Sequence, residues 1–297
     1  MKNPIYKELK DLKLISDKNL HFINNKTRDK KIRVIRDKKI EIIFLEKFVT
    51  NSNFYKSTKY KKNDREFTNI KIKNQKHSLP TNVKDDSRRA KQFNKIFRNR
   101  DVLDFGCSWG GLLRKIKNSK SLNGVEIRKE CVKYIKKNLK KINLSDNIES
   151  FSKKFDIISL FHVLEHLPNQ IQILKLLRSK LKKKGKLIIE VPHAKDFLIL
   201  QSELKEFKDF TFWSEHLILH TQKSLKTFLL KSGFKKIKIQ FYQRYNFSNH
   251  LGWFLKKKPG GHLFYKGFSN KKLDKVYKDN LIKLGQTDTL IAIAQKN

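Results

Sequence analysis

Between residues 101 and 191, short apolar runs alternate with stretches of helical period, and that alternation admits few folds. Residues 102–105 form an apolar run ending in glycine, and 110–118 read as a helix. Residues 122–127 read as a second strand. Residues 129–141 have Val132, Ile135 and Leu139 on one helical face. Residues 155–161 are apolar and β-branched. A helix begins near Pro168, carries Ile171, Leu174 and Leu177, and is expected to end at Gly185, with Lys182, Lys183 and Lys184 as its solvated, dipole-matched end. Residues 186–191 form a further buried strand. Apolar strands separated by amphipathic helices predict an α/β fold with a parallel sheet covered on both faces.

The end of the chain departs from this pattern. Thr221 caps a helix through Leu225, Phe228 and Leu229 that Gly233 closes. Strands at 234–241 and 290–294 are separated by an irregular, polar and aromatic insert at about 242–288. Two such strands are expected to pair antiparallel at the sheet edge. Residues 1–85 read as an accessory region with a small sheet or hairpin around 39–45. The composition shifts near Pro80, and residues 85–90 start a helix running towards Phe97. The domain expected is therefore 86–297.

Charge narrows the partners less than its size suggests. The net charge is +41, yet 57 of the 69 basic residues are lysine against 12 arginine. Specific phosphate and base clamps favour the arginine fork, and these lysines are spread along the whole chain, so solvated faces are the plainer reading. No run is long and apolar enough to span a bilayer. The N-terminus shows no apolar segment of the secretory type, so a cytoplasmic location is the default expectation. Cys107 and Cys131 can form neither a disulfide framework nor a four-cysteine zinc site, and no metal is expected.

The turn at 106–111 carries the chemistry. Gly106, Gly110 and Gly111 let backbone approach a ligand closely. Asp104 stands near the carboxyl end of its strand. Glu126 ends the next strand about 20 residues on, where a carboxylate accepts hydrogen bonds from ribose hydroxyls. The G-x-G-x-x-G spacing of dinucleotide sites is absent. An acid at the turn repels a pyrophosphate and attracts a sulfonium or ammonium, which favours S-adenosylmethionine over NAD.

Residues 102–111, Val-Leu-Asp-Phe-Gly-Cys-Ser-Trp-Gly-Gly, resemble the first motif of class I S-adenosylmethionine-dependent methyltransferases, with Ser108 in place of the usual second glycine. Residues 155–167, with Glu165-His166-Leu167, resemble that family's fourth strand and its signature, and 185–192 its fifth strand. The resemblance covers roughly 86–240 and implies a Rossmann-like seven-stranded sheet. It implies that Asp104, Gly106, Cys107 and Gly110 surround the methionine part of the cofactor. Glu126 would hold the ribose and Ile127 face the adenine, with Asn147 and Ile148 in the adenine loop. Phe161 and His162 would close the pocket.

The acceptor is less constrained. The Asn/Asp-Pro-Pro-aromatic motif of amine methylation is missing after the fourth strand, where the chain reads Phe161-His162-Val163-Leu164. No cysteine lies there for cytosine C5 chemistry. Both gaps weigh against base methylation. His162, His166 and Glu165 are the candidate catalytic groups, each with a plain structural alternative. His216, Arg244, Tyr245, Asn249, His250 and His262 are the candidate acceptor contacts, because polar and aromatic side chains suit a sugar-like molecule. The segments resemble a bacterial subgroup associated with surface-polysaccharide and nucleotide-sugar pathways, without the cysteine-rich zinc region of the sugar C-methyltransferases. A small, sugar-like acceptor leads. An RNA or protein methyltransferase using the basic surface is the second reading, and a non-catalytic binding module of the same fold the third.

Overall fold

The computed structural model describes residues 3–49, 68–72, 75–79, 83–201 and 204–297. The composition break near Pro80 lies outside these residues. The strands in chain order are β1 (Leu20–Asn24), β2 (Val34–Asp37), β3 (Ile43–Leu45), β4 (Thr68–Ile72), β5 (Gln75–Leu79), β6 (Asp101–Phe105), β7 (Ser121–Val125), β8 (Ile142–Ser145), β9 (Phe155–Phe161), β10 (Leu181–Pro192), β11 (Ile218–Leu219), β12 (Lys235–Tyr242) and β13 (Thr289–Gln295). Seven of them form one sheet in the order β12-β13-β10-β9-β6-β7-β8. This is the mostly parallel, helix-flanked sheet with an antiparallel edge that the alternation predicts. The chain divides into two compact units.

One unit holds residues 50–161, 176–188 and 295–297. Its strands β7, β6 and β9 run parallel and in register, with Leu103 opposite both Asn123 and Ile158. β8 extends the sheet beyond β7. Val102, Leu103, Ile157, Ile158 and Leu160 are buried, as strands covered on both faces require. The helix Lys129–Asn138 buries Cys131 and Ile135. β4 and β5 pair as a separate antiparallel hairpin.

Local readings needed correction here. The helix expected over 110–118 is only a short 3-10 turn, Leu113–Lys115, because the chain spends 106–112 wrapping the turn. Lys182, Lys183 and Lys184 are not a helix end: the strand begins at Leu181 and Gly185 lies inside it. Lys182 Nζ reaches Asp101 at 2.7 Å and Asp156 at 2.9 Å, so two carboxylates draw the first lysine into the sheet. The strand β8 was not foreseen, since Ile142 and Leu144 are the only apolar residues in a Lys- and Asn-rich stretch.

The other unit holds residues 1–49, 162–175 and 189–294. A second sheet runs β1-β2-β3-β11, so β3 pairs both with β2 and with β11 far along the chain. The strand read from 39 onwards starts only at Ile43, because Asp37 takes the backbone N–H groups of Lys39 and Ile40 and closes a turn first. Asn3 Nδ2 donates to the carbonyls of Leu45 and Leu217, both at 2.8 Å. The Glu8 carboxylate accepts from the N–H groups of Gln170 and Ile171, capping the helix Gln170–Ser179 from outside.

The 242–288 insert is largely helical, not irregular, with helices Phe247–Lys256, Gly261–Phe264 and Lys271–Leu284. Asn246 and Asn270 cap the first and third with their side chains. Trp253 is buried with Val34, Ile43, Phe207 and Leu219, and meets Phe207 edge-on at 4.9 Å. Gly252 and Gly261 form a backbone contact: a Cβ on Gly261 would stand 2.2 Å from the Ser248 carbonyl oxygen.

Asn3→Ala strips the donor from two buried carbonyls and is expected to cost about 1–3 kcal/mol of stability, read by denaturant unfolding. Gly261→Ala forces two backbones apart. We expect faster amide hydrogen exchange across 247–265 than in the wild-type chain, and unchanged exchange there would contradict the contact.

Candidate active site

β6 delivers Asp104 and Phe105 to its carboxyl end, and the chain then turns sharply. Gly106 (φ 77°), Ser108 (φ 50°) and Gly110 (φ 70°) all adopt left-handed backbone. Serine at the middle position carries strain that glycine would not. The N–H groups of Gly106 and Cys107 both donate to the Val125 carbonyl, at 2.8 and 3.0 Å, which folds the turn over the end of β7. Glu126 completes the clasp. Its Oε2 accepts from Ser108 N–H at 2.7 Å and its Oε1 from Arg128 N–H at 2.8 Å. Burial raises the Glu126 pKa, and the N–H groups of Arg128, Ser108 and Ile127 offset part of that.

Asp104 is buried at the end of β6, and its Oδ1 accepts from Ser159 Oγ on β9 at 2.7 Å. Burial pushes its carboxyl up to about 7, against the Ser159 hydrogen bond and the Arg89 charge, while Asp86 and Glu126 add repulsion. Its hydrogen-bond donor, Ser159, is neutral, and the Arg89 charge does not outweigh the burial. Asp86 and Arg89 of the helix Val83–Gln92, 3.7 Å apart, belong to the same neighbourhood.

The remaining expected cofactor residues fall into place unevenly. Cys107 turns inward: a Cβ on Gly124 would lie 2.7 Å from its Sγ. Gly110 touches the far end of the helix Lys129–Asn138, where a Cβ would meet Leu139 at 2.8 Å. Ile127 lines a groove of about 470 Å³ with Lys129, Val132, Lys133, Lys136, Leu144, Ser145 and Asp146, which takes in neither Asp104 nor Glu126. Asn147 caps the turn Ile148–Ser150 by accepting from Glu149 N–H, and Ile148 is buried. Phe161 ends β9, with the Arg89 guanidinium 4.9 Å above its ring and Phe93 5.9 Å away.

His162 follows with φ 55°, a left-handed conformation that is unfavourable for a branched ring side chain. Its Nδ1 lies 3.1 Å from Glu165 Oε1. Its Nε2 lies 3.3 Å from Glu190 Oε1 and 3.1 Å from Arg244 Nη1. Burial and the Arg244 charge push its pKa down, but the hydrogen bonds to Glu165 and Glu190 prevail and raise it. Arg244 in turn is held by Asp288, which accepts from Arg244 Nε and from the N–H groups of Arg244 and Tyr245. Tyr245 is half exposed beneath the Arg244 guanidinium.

His166 Nδ1 bonds the Glu215 carbonyl at 3.0 Å, and its ring meets His216 edge-on at 4.8 Å. Asn249 and His250 are buried in the helix Phe247–Lys256. Both His250 nitrogens have partners, Tyr277 Oη at 2.6 Å and Gln243 Nε2 at 3.3 Å, and burial lowers its pKa to about 4. His262 is exposed on the short helix Gly261–Phe264. The structure therefore gathers His162, Glu165 and Arg244 and leaves His250 and His262 apart from them.

Glu190, Asp288 and Ser159 were missed by sequence reasoning. Glu190 had a signal, a lone carboxylate in the apolar run Leu187 to Val191. Asp288 and Ser159 had none, because their partners are distant in sequence.

Asp104 gives a pH test. Its folded pKa lies above the unfolded value, so between about pH 4 and pH 7 the folded chain binds more protons and loses stability as pH rises. Asp104→Asn is expected to match wild type near pH 4 and to exceed it by about 2–4 kcal/mol at pH 8, read by denaturant unfolding across that range. An advantage that does not grow with pH would contradict the buried carboxylate.

The fold is similar to that of known methyltransferases. A solved structure of an S-adenosylmethionine-dependent methyltransferase from Archaeoglobus fulgidus superposes with a TM-score of 0.50 at 22% identity, over 72% of this chain and 95% of that one. A putative methyltransferase from Bacillus halodurans is similar at 17% identity and TM-score 0.45, over 71% and 99% of the two chains. The N-methyltransferase NodS from Bradyrhizobium japonicum, solved with S-adenosyl-L-homocysteine, is similar at 12% identity and TM-score 0.45, over 72% and 86%. None of the curated proteins matches the chain. The family model described as a methyltransferase domain matches residues 77–239, more than half of the chain, and the chain belongs to that family of enzymes.

Proposed function

We propose that the chain transfers the methyl group of S-adenosylmethionine to an oxygen, nitrogen or carbon of a small, sugar-like metabolite. The observation that carries this reading is the pair of buried carboxylates, Asp104 and Glu126, at the carboxyl ends of adjacent parallel strands beside a left-handed turn. Arg89 and Ser159 offset only part of the burial of Asp104, and the ammonium or sulfonium of the cofactor would supply a further cation. Each Glu126 oxygen already accepts one backbone N–H and keeps a second lone pair, which suits ribose hydroxyls. Ile127 and the turn at 147–148 suit the adenine.

When bound, the cofactor supplies a methyl group activated by its sulfonium. The protein's share is to position the acceptor and take its proton. His162 Nε2 lies within 3.3 Å of both Arg244 Nη1 and Glu190 Oε1, a group of donors and acceptors that suits a polyhydroxyl molecule. His162 is the group we assign to receive the proton, with its ring held by Glu165 through Nδ1. Tyr245 offers a flat surface for a sugar ring.

Calorimetry tests the cofactor half. Glu126→Ala is expected to weaken S-adenosylmethionine roughly 10- to 100-fold, the equivalent of one or two charged hydrogen bonds. Wild-type affinity is expected to fall about tenfold per pH unit below about pH 7, since the cation binds only the ionised Asp104. Equal affinity in wild type, Glu126→Ala and Asp104→Ala would sink the assignment. Labelled methyl transfer across sugars, nucleotide-sugars and RNA tests the acceptor. Label in the sugar fraction, lost in Arg244→Ala, is expected, whereas label in RNA alone would replace this acceptor with the nucleic-acid one.

A further inference from the structure

Glu165 sits in the 3-10 turn Leu164–His166 and is fully buried. Its Oε1 is engaged by His162, but its Oε2 has no hydrogen-bond partner. A buried carboxylate oxygen without a donor is unusual in a native fold and asks for a cation.

Two imidazoles stand beside it. The N–H of Leu217 donates to the Glu165 carbonyl at 2.8 Å and the N–H of His216 to the Trp213 carbonyl at 3.1 Å, which brings the 213–217 loop against the turn. One ligand atom from each of Glu165, His166 and His216 lies within 4.8 Å of the others. Among the described residues this is the group of such side chains that can hold a metal ion. His166 directs Nδ1 at the Glu215 carbonyl, with Glu215 Oε2 3.9 Å away. A backbone carbonyl on Nδ1 orients the ring, as the outer partners of metal-bound histidines do. Both rings are partly exposed, so an ion has access from solvent.

We propose that Glu165, His166 and His216 bind one divalent cation of the Mn2+, Fe2+, Co2+ or Zn2+ class. Two imidazoles with one carboxylate suit these ions, whereas Mg2+ and Ca2+ favour oxygen ligands throughout. Ligand atoms about 2.1 Å from an ion stand roughly 3–4 Å apart, so the trio closes by about an ångström on binding. Three protein ligands leave coordination positions open, and these take oxygens of the acceptor. That last role rests on the methyltransferase reading above, while the binding of the ion does not.

The test uses the full chain without an affinity tag, freed of metal by a chelator and titrated with Mn2+. Electron paramagnetic resonance is expected to show one Mn2+ taken up per chain, with nitrogen couplings from histidine in the bound signal. Glu165→Gln and His216→Ala, checked for folding by circular dichroism, are expected to weaken uptake at least about tenfold. Mn2+ left free at roughly 100 μM by the wild type, a bound signal without nitrogen couplings, or undiminished uptake by a folded His216→Ala would each overturn the site. Where a variant fails to fold, the nitrogen couplings of the wild type decide. Calorimetric binding of S-adenosylmethionine in the same metal-free chain keeps the two readings apart: cofactor binding without metal uptake overturns the metal site alone.

Discussion

A carboxylate just past β7 holds the turn after β6 in shape. Glu126 grips the N–H of Ser108 on one side and that of Arg128 on the other, while Val125 accepts two more N–H groups from the turn. Three left-handed residues within five positions make this turn costly for an isolated chain. The Glu126 side chain stabilises it by accepting from the N–H groups of Ser108 and Arg128. In the proposed function the same oxygens would also accept from ribose hydroxyls. Asp104 follows the opposite logic. Its burial opposes the charge that a cationic ligand needs, and the ligand-free fold carries that opposition as lost stability.

How much of this was legible in the sequence depends on where each partner lies along the chain. The parallel core was readable because Val102–Leu103, Ile157–Ile158 and Ile188–Ile189 are buried on both faces and leave an apolar run in the sequence. Asp104 and Glu126 were readable because a charge at the end of such a run has few reasons to be there. β8 was not readable, since two apolar residues among lysines and asparagines carry too little period. Lys182–Lys184 misled because helix ends and strand starts both tolerate lysine, and the deciding partners, Asp101 and Asp156, lie on other strands. The insert misled because its glycines and polar residues read as loop. In the structure Gly252 and Gly261 allow two helical segments to touch, and Asn246 and Asn270 are caps.

The second unit shows that residues placed apart by sequence share one body. β3 pairs with β11, Asn3 bridges Leu45 to Leu217, and Glu8 caps the helix that starts at Gln170. Trp253 from the insert sits in the core that β2 and β3 also build. The residues nearest the proposed acceptor, His162, Glu190 and Arg244, are thus held by a scaffold assembled from both ends of the chain. Substituting within helix Phe247–Lys256 alters packing first, since Ser248, Asn249, His250, Gly252 and Trp253 are buried there.

Cys107 occupies a demanding position, since it is a thiol within the turn that the cofactor is proposed to approach. Its Sγ faces Gly124 and the core, and burial together with the Asp104 and Glu126 charges raises its pKa well above the usual thiol value. Only a thiolate attacks carbon or peroxide readily. A nucleophile in reach of an alkylating reagent would become its own substrate. Turned inward and kept protonated, this one is protected from self-alkylation and from oxidation, and the absence of a side chain at Gly124 is what leaves room for it to hide.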